Sequence, residues 1–314
     1  MTDTRSAGSA APSNRHSHAT GRQKWLGHMA MVLFAALIAG SFSLGGMAAQ
    51  HIGPAALNAL RFVLGASMMG FIVWRATHAI PRWPAAPWRF LILGALMGIY
   101  FVTMFIALAL TDPVSVGAVF TLNPFFSAVF GWVFLRQVPR PAVLASLAVA
   151  GAGALWLIFR GDVNALLALD LGKGELIYLF GVICHSAYAP LVRRFSRGEP
   201  LVVSTFWSLA ATALCVSLYG WREIGTTDWT HLPAVVWIAI GYVSIFTTAI
   251  TVFLLQFASM RLPAAKVFGY GYLTPAFIII LEGVLGHGWA SAMVMSGALV
   301  IVMGLVVLAL TPDG

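Results

Sequence analysis

The sequence predicts an all-α integral membrane protein of about ten transmembrane helices, arranged as two inverted repeats of five helices. Three observations predict this class: an apolar composition, a series of apolar segments of membrane-spanning length, and a similarity between the two halves of the chain. Of the 314 residues, 60% are hydrophobic and 9% are charged, and the mean hydropathy is +0.89. Soluble domains have about 25% charged residues, so this composition excludes a surface that faces water throughout.

Ten segments approach the roughly 20 apolar residues that a membrane-spanning helix needs. The predicted spans are 26–49, 55–75, 88–110, 113–135, 141–159, 174–193, 200–220, 234–258, 263–285 and 289–310. The connections between them are too short for a soluble domain. Residues 1–24 have no apolar periodicity and are expected to form a disordered cytoplasmic tail.

The basic residues alternate from one connection to the next. They precede the first span and follow the second, fourth, sixth and eighth, whereas the intervening loops carry Arg160, Lys173 and Arg222 beside acidic residues. The positive-inside rule therefore predicts that both termini are cytoplasmic. The sequence pI of about 10 then reflects this bias, so the lipid bilayer and not a nucleic acid is the expected partner.

Motifs of an intramembrane enzyme are absent from the predicted spans: the sequence has no H-E-x-x-H, no G-x-S-x-G and no paired aspartates there. Cys184 and Cys215 lie in apolar runs without metal-ligand spacing, so we expect no metal and no cofactor. A channel is left open, because a pore does not require a recognisable filter motif.

The two halves of the chain share a pattern. Residues 121–135 align with residues 272–286 after a shift of one position, and Pro54 corresponds to Pro200. The matched residues are Leu122, Pro124 and Phe126 in the first half and Leu273, Pro275 and Phe277 in the second. Five spans in each half place the second half upside down in the membrane, an arrangement found in many secondary transporters, whose substrate site lies near the midplane.

Several motifs occur in a fixed order: A-G-S-F at 39–42, Pro54 followed by Arg61-Phe62, L-x-P-x-F in spans four and nine, and S-G-A-L-V-I-V-M-G at 296–304. With them the chain resembles the EamA-type ten-helix transporters of the drug/metabolite transporter superfamily. The Gly-Glu pair that commonly ends spans four and nine in that family is replaced by Arg136-Gln137 and His287-Gly288.

The resemblance implies repeats at residues 25–160 and 174–311 around a central cavity. It also implies export of a small metabolite or amino acid across the bacterial cytoplasmic (inner) membrane by alternating access. An exchanger of organic anions or phosphate compounds with the same fold is the alternative, with Lys266 as its candidate anion contact. The oligomeric state is left open between a monomer and a homodimer.

Polar residues at midplane depth are the candidates for the substrate cavity. They are Ser41, Tyr100, Asn123, His185, Thr247, Tyr270 and Thr274. Asn123 and Thr274 directly precede Pro124 and Pro275, which are expected to kink their helices because proline removes a backbone hydrogen bond. Each of the two polar residues either contacts the substrate or satisfies the groups freed by the kink.

Ionisable residues within spans are the candidates for energy coupling, because charge is costly there. His185 at mid-span and Glu282 towards the outer end of span nine could carry a proton, although a neutral histidine bonded to a neighbouring helix is equally compatible with the sequence. We expect Lys266 to extend towards the headgroups unless it contacts an anion. Arg61 is expected to have a structural role, fixing span two against a carbonyl or a headgroup.

Overall fold

The computed structural model describes residues 19–49, 51–79, 81–110, 116, 119–159, 161–168, 172–284, 289 and 291–312. Within these ranges, ten apolar helical units follow one another, and we number them α1 to α10. Residues 42, 43, 45–47, 49, 282, 293 and 294 are described by their backbone alone.

The first half contributes five helices. They are α1 (Gly21–Ala49), α2 (Pro54–Thr77), α3 (Trp88–Leu110), α4 (Asn123–Leu135) and α5 (Pro141–Ile158). Prolines stand at the first turn of α2, α4 and α5, where the missing N–H has no helical partner to lose.

The second half contributes the other five, two of them composed of segments. They are α6 (Lys173–Phe195), α7 (Leu201–Tyr219), α8 (Ala234–Ser244, π-helical Ile245–Ile250 and Thr251–Ser259), α9 (Ala264–Gly269, 3-10 helical Tyr270–Tyr272 and Leu273–Val284) and α10 (Ala292–Leu310). Short helices Val163–Leu167 and Trp221–Thr226 lie in the connections. In the described part of the chain, eight helices are long and apolar enough to cross a membrane, and two shorter apolar helices are Asn123–Leu135 and Met295–Leu310.

Packing between the helices has an internal two-fold pattern. Helix α1 packs on α8 and α9, as α6 packs on α3 and α4; α2 packs on α7 and α8, as α7 packs on α2 and α3. The pairs α4–α9 and α5–α10 complete the set. Exchanging α1–α5 for α6–α10 therefore maps these contacts onto themselves. Because each half has an odd number of spans, this symmetry relates halves of opposite orientation, which confirms the predicted fold class.

Small residues allow the closest approaches between the halves. A methyl group on Gly94 of α3 would lie 2.6 Å from the backbone of Ala211 and Thr212 in α7. At the α5–α10 contact, a methyl on Gly153 would lie 2.9 Å from the carbonyl oxygen of Gly297. Close backbone packing through small residues is a main source of helix association in lipid, so larger residues at these positions would separate the halves.

One predicted helix boundary differs from the structure, and one predicted span is interrupted by a turn. Helix α1 begins at Gly21, so residues 21–24 of the predicted tail are helical, while residues 1–18 lie outside the described residues. Within the predicted span 113–135, residues 116, 119 and 120 are helical, a turn follows at 121–122, and regular helix α4 begins at Asn123. The proline at 124 accounts for this start, because it cannot donate to the preceding turn.

Candidate functional site

A central cavity lies between the two halves, among α1, α2, α3, α6 and α8. Most of its wall is apolar, with residues such as Phe34, Met97 and Leu255. Its polar lining consists of Ser41, Arg61, Tyr100, His185, Thr247 and Thr251. Largely apolar walls with a few polar groups are the usual composition of a small-molecule site.

Arg61 of α2 is the cation of this lining, and it is only 2% exposed. Its Nε donates to Thr248 Oγ1 at 2.8 Å, and its Nη2 donates to the Thr247 carbonyl oxygen at 3.0 Å. Its guanidinium carbon lies 4.3 Å from the centre of the Phe101 ring, within cation–π range. Across the described residues, no carboxylate lies within ion-pair distance of Arg61.

The π-helical turn of α8 provides the oxygen atoms that hold Arg61. A π-helix has a wider turn than an α-helix and occurs mostly as a single turn, frequently at functional sites. Here the turn covers Ile245–Ile250, and the Thr247 carbonyl accepts both from Arg61 and from Thr251 Oγ1, the latter at 2.9 Å. Arg61 in the first half is thus joined to an irregular turn in the second half, directly at the cavity wall.

His185 of α6 lines the same cavity and is 4% exposed. Its ring stacks on that of Tyr100, with centroids 4.0 Å apart and an angle of 13° between the planes, and Phe268 packs edge-on against it. Its Nδ1 lies 2.9 Å from the Asn123 amide nitrogen. The amide nitrogen can only donate, so Nδ1 accepts and a neutral imidazole carries its proton on Nε2.

Asn123 is fixed from the other side by α6. Its Oδ1 lies 2.7 Å from the Ser186 hydroxyl, which is also 2.7 Å from the Val182 carbonyl oxygen. In this arrangement the Asn123 amide contacts α6 at both ends, Ser186 through its oxygen and His185 through its nitrogen. Asn123 is 1% exposed and supports the histidine from behind the cavity wall.

Both prolines predicted to kink their helices lie next to interruptions of regular α-helix. Pro124 is in the first turn of α4, and Pro275 follows the 3-10 segment Tyr270–Tyr272 of α9. The two interruptions are joined, because the Tyr272 hydroxyl donates to the Thr121 carbonyl oxygen at 2.9 Å. A side chain of the second half thus contacts the backbone at the interruption in the first half.

The predicted cavity residues divide into two groups. Ser41, Tyr100, His185 and Thr247 line the cavity, although the Ser41 hydroxyl also bonds back to the Ile38 carbonyl oxygen at 2.7 Å. Asn123 contacts the cavity through His185. Two residues of α9 do not belong to this described lining: Tyr270 bonds to His28 Nδ1 at 2.7 Å, and the buried Thr274 hydroxyl has no described hydrogen-bond partner.

Lys266 is also separate from the described cavity lining. Lys266 is fully buried, and its Nζ donates to the Thr311 carbonyl oxygen at 2.5 Å, directly after the end of α10. This contact contradicts the expectation that Lys266 reaches the headgroups; its charge instead satisfies the negative end of a helix. Lys266 borders a second pocket formed with the α4–α5 connection. The side chain of Glu282 lies outside the described residues.

An ion pair joins α3 to the connection between α6 and α7. Arg89 donates to the Phe195 carbonyl oxygen and pairs with Glu199, which also accepts from the backbone N–H of Arg197 at 2.8 Å. Partial burial of Glu199 favours its neutral form, but these hydrogen bonds outweigh burial and hold the pKa of the Glu199 carboxyl below its usual value. The pair therefore favours the docking of the two halves at this end.

Arg61 lines this cavity, although the sequence predicted only a structural role for it. The predicted contact with a carbonyl is present, but the guanidinium also lines the cavity, and Phe101 and Thr251 line it with Arg61. The sequence contained a signal for this cavity position, because an arginine inside a membrane span is costly and usually faces the interior or a polar cavity.

Comparison with known proteins agrees with this architecture. The sequence model of the EamA-like transporter family matches residues 25–159 and again residues 172–310. The uncharacterized transporter YyaM of Bacillus subtilis (strain 168) is 24% identical over 278 residues, which cover 86% of this chain and 89% of that protein. A solved crystal structure, 23% identical, superposes with a TM-score of 0.72 over 92% of this chain and 96% of that chain, and so has the same fold. The chain belongs to the EamA-like transporter family and is a multi-pass membrane transporter, not an enzyme.

Proposed function

We propose that this chain is a secondary transporter that exports a small metabolite or amino acid across the bacterial cytoplasmic membrane by alternating access. The observation that carries the proposal is the central cavity, whose polar lining comes from both inverted halves: Arg61 and Tyr100 from the first, His185 and Thr247 from the second. Because the halves enclose the site between them, a rocking motion of one against the other would expose it to each side in turn.

The proposed orientation has both termini in the cytoplasm, following the distribution of Arg and Lys over the connections. In this orientation the ion pair between Arg89 and Glu199 lies at the cytoplasmic end. A membrane-impermeant thiol reagent applied to intact cells should label Asp228→Cys and leave Arg82→Cys and Arg197→Cys unlabelled. The reverse labelling pattern would overturn the orientation.

We assign proton coupling, where it occurs, to His185 first and to Glu282 second. His185 lines the cavity, so a proton on it would become accessible from the two sides alternately with the substrate. Protonation at Nδ1 would remove its capacity to accept from Asn123 and would require Asn123 to rearrange. A proton on His185 would thus be linked to the α4–α6 contact.

Transport by purified protein in proteoliposomes tests the proposal. A panel of amino acids, nucleobases and small carboxylates should include at least one compound that enters protein-containing vesicles faster than protein-free vesicles. Its uptake should saturate and should show counterflow, and an imposed pH gradient should raise its accumulation if coupling uses protons. Saturable counterflow separates a carrier from a channel; uptake that rises linearly with concentration and shows no counterflow would contradict alternating access.

A further inference from the structure

The geometry points to a small monocarboxylate with an apolar body as the substrate class, bound through Arg61 in the central cavity. This inference rests on the proposed transport function and narrows it. It also moves the candidate anion contact of the chain from Lys266, which borders a different pocket, to Arg61.

The first argument is the charge of the cavity. The chain has ten acidic residues, and none falls within α1, α2, α3 or α8, which form most of the wall. In α6 the acidic residue is Glu175, ten positions before His185, which is about 15 Å along a helix. The guanidinium of Arg61 is therefore surrounded at short range by neutral partners. A buried cation without a counter-charge is costly, and a bound monoanion would reduce this cost.

The second argument is the hydrogen-bonding capacity left on Arg61. The described hydrogen bonds use Nε and Nη2, and in the described part of the chain Nη1 donates to no atom. Arg61 lines the cavity, so this edge of the guanidinium is the donor available to a ligand there. A planar guanidinium matches a carboxylate in geometry as well as in charge.

The third argument limits what else the ligand can carry. Among the described residues that line the cavity, Arg61 supplies one positive charge and no side chain supplies a negative charge. A dianion such as a phosphate monoester would keep one charge uncompensated, and an amino acid would bring an ammonium group without a carboxylate to pair with it. The neutral imidazole of His185 and the aromatic walls fit an apolar body instead.

Three matched probes test this inference: 3-phenylpropanoate, its amide, and phenylalanine, which differs from the acid by one ammonium group. Binding is measured on purified protein in detergent by thermal shift and calorimetry at neutral pH. We expect 3-phenylpropanoate to bind at least about 10-fold more tightly than either other probe, since charged partners roughly double hydrogen-bond strength. Equal affinity for the acid and the amide would overturn the inference without any mutation.

Two variants locate the contact. Arg61→Gln should reduce 3-phenylpropanoate binding about 10-fold or more, whereas Lys266→Met, which removes a buried charge elsewhere, should leave the affinity within about twofold. If Arg61→Gln does not fold, the comparison of acid and amide on the unmodified chain still tests whether the site prefers a carboxylate. If the acid fails to bind but another compound of the transport panel shows counterflow, the substrate class is wrong and the transport function stands; if no compound shows counterflow, the proposed function itself fails.

Discussion

Arg61 and Lys266 are both buried cations in membrane helices, and both donate to backbone carbonyl oxygens of another helix. Their surroundings differ. Lys266 binds the carbonyl of Thr311 at the end of α10, where a helix presents unsatisfied oxygens and a negative dipole. Arg61 binds a π-helical turn in the middle of α8, beside the central cavity.

Burial alone therefore does not distinguish a charge at a helix end from a charge that faces a cavity. The cation at a helix end completes the hydrogen bonding of the fold, which any transporter or channel requires. The guanidinium of Arg61, in contrast, lies beside the π-helical turn of α8 and lines the central cavity. What a buried charge faces is therefore more informative than how deeply it lies.

The largest effect on transport should come from neutralising one of the two cations, and the two are replaced in separate variants. Arg61→Gln should reduce initial transport rates in proteoliposomes by about 100-fold, because a charged hydrogen-bonded contact to the substrate is lost. Lys266→Met should instead act on stability, lowering the unfolding temperature while folded protein keeps most of its transport rate. Transport is measured on variants shown to be monodisperse by size exclusion.

An Arg61→Lys variant sharpens this comparison. It keeps the charge but loses the planar fork, so we expect partial transport between the rates of the unmodified chain and of Arg61→Gln. Equal transport losses in Arg61→Gln and Lys266→Met would contradict the separate roles of the two residues.

The next prediction concerns His185, which the second half contributes to the cavity, whereas Arg61 comes from the first half. His185→Gln should abolish accumulation driven by a pH gradient, while counterflow of substrate continues, since glutamine can accept from Asn123 but cannot carry a proton. The measurement compares accumulation and counterflow in the same vesicles. Normal accumulation would make His185 a packing residue, and Glu282→Gln would then be tested in the same way.

A smaller effect separates the matched residues before the two prolines. Asn123→Ala leaves the buried Nδ1 of His185 without its described partner, which costs about 1–3 kcal/mol and should slow transport as well. Thr274→Val removes a buried hydroxyl that has no described partner, so stability should be unchanged or slightly higher. Thermal unfolding and transport are followed for both variants; similar behaviour of the two would show that the positions are equivalent after all.

The sequence carried enough information for the fold and for part of the site. Composition and the repeated L-x-P-x-F pattern indicated ten spans in two halves. The length and hydropathy of each segment and the number of spans in each half can all be read directly from the sequence. Depth within a span also follows from counting residues, and depth placed Ser41, Tyr100, His185 and Thr247 near one another.

Whether each side chain points towards the cavity or towards lipid could not be predicted in the same way. Tyr270 and Thr274 were selected by depth with the others, yet the structure turns Tyr270 towards His28. A membrane helix is apolar on all sides, so its hydrophobic period does not distinguish a cavity from lipid. The π-helical turn of α8 was equally hidden, because Arg61, the side chain that donates to it, is distant in sequence.

The smallest expected effect lies at the Arg89–Glu199 ion pair. The folded-state pKa of Glu199 is lowered, so the pair contributes stability above the unfolded pKa of about 4.3 and loses it as pH falls through the folded value. Glu199 is partly exposed, so Glu199→Gln should cost only about 0.2–1 kcal/mol at neutral pH and nothing at strongly acidic pH. Unfolding temperatures across this pH range, with Arg89→Gln and the double variant completing the cycle, would detect this; additive losses would mean that the pair is not coupled.

Substrate should pass through the cavity that Arg61 lines and not through the pocket beside Lys266. A background with Cys184→Ala and Cys215→Ala allows single thiols at Thr251, in the cavity wall, and at Val138, in the pocket beside Lys266. Transport is measured before and after treatment with an anionic methanethiosulfonate during turnover. We expect the reagent to block transport by Thr251→Cys, substrate to slow this block, and Val138→Cys to keep its transport rate. Block of Val138→Cys with substrate protection, and an unaffected Thr251→Cys that is shown to be labelled, would contradict this expectation.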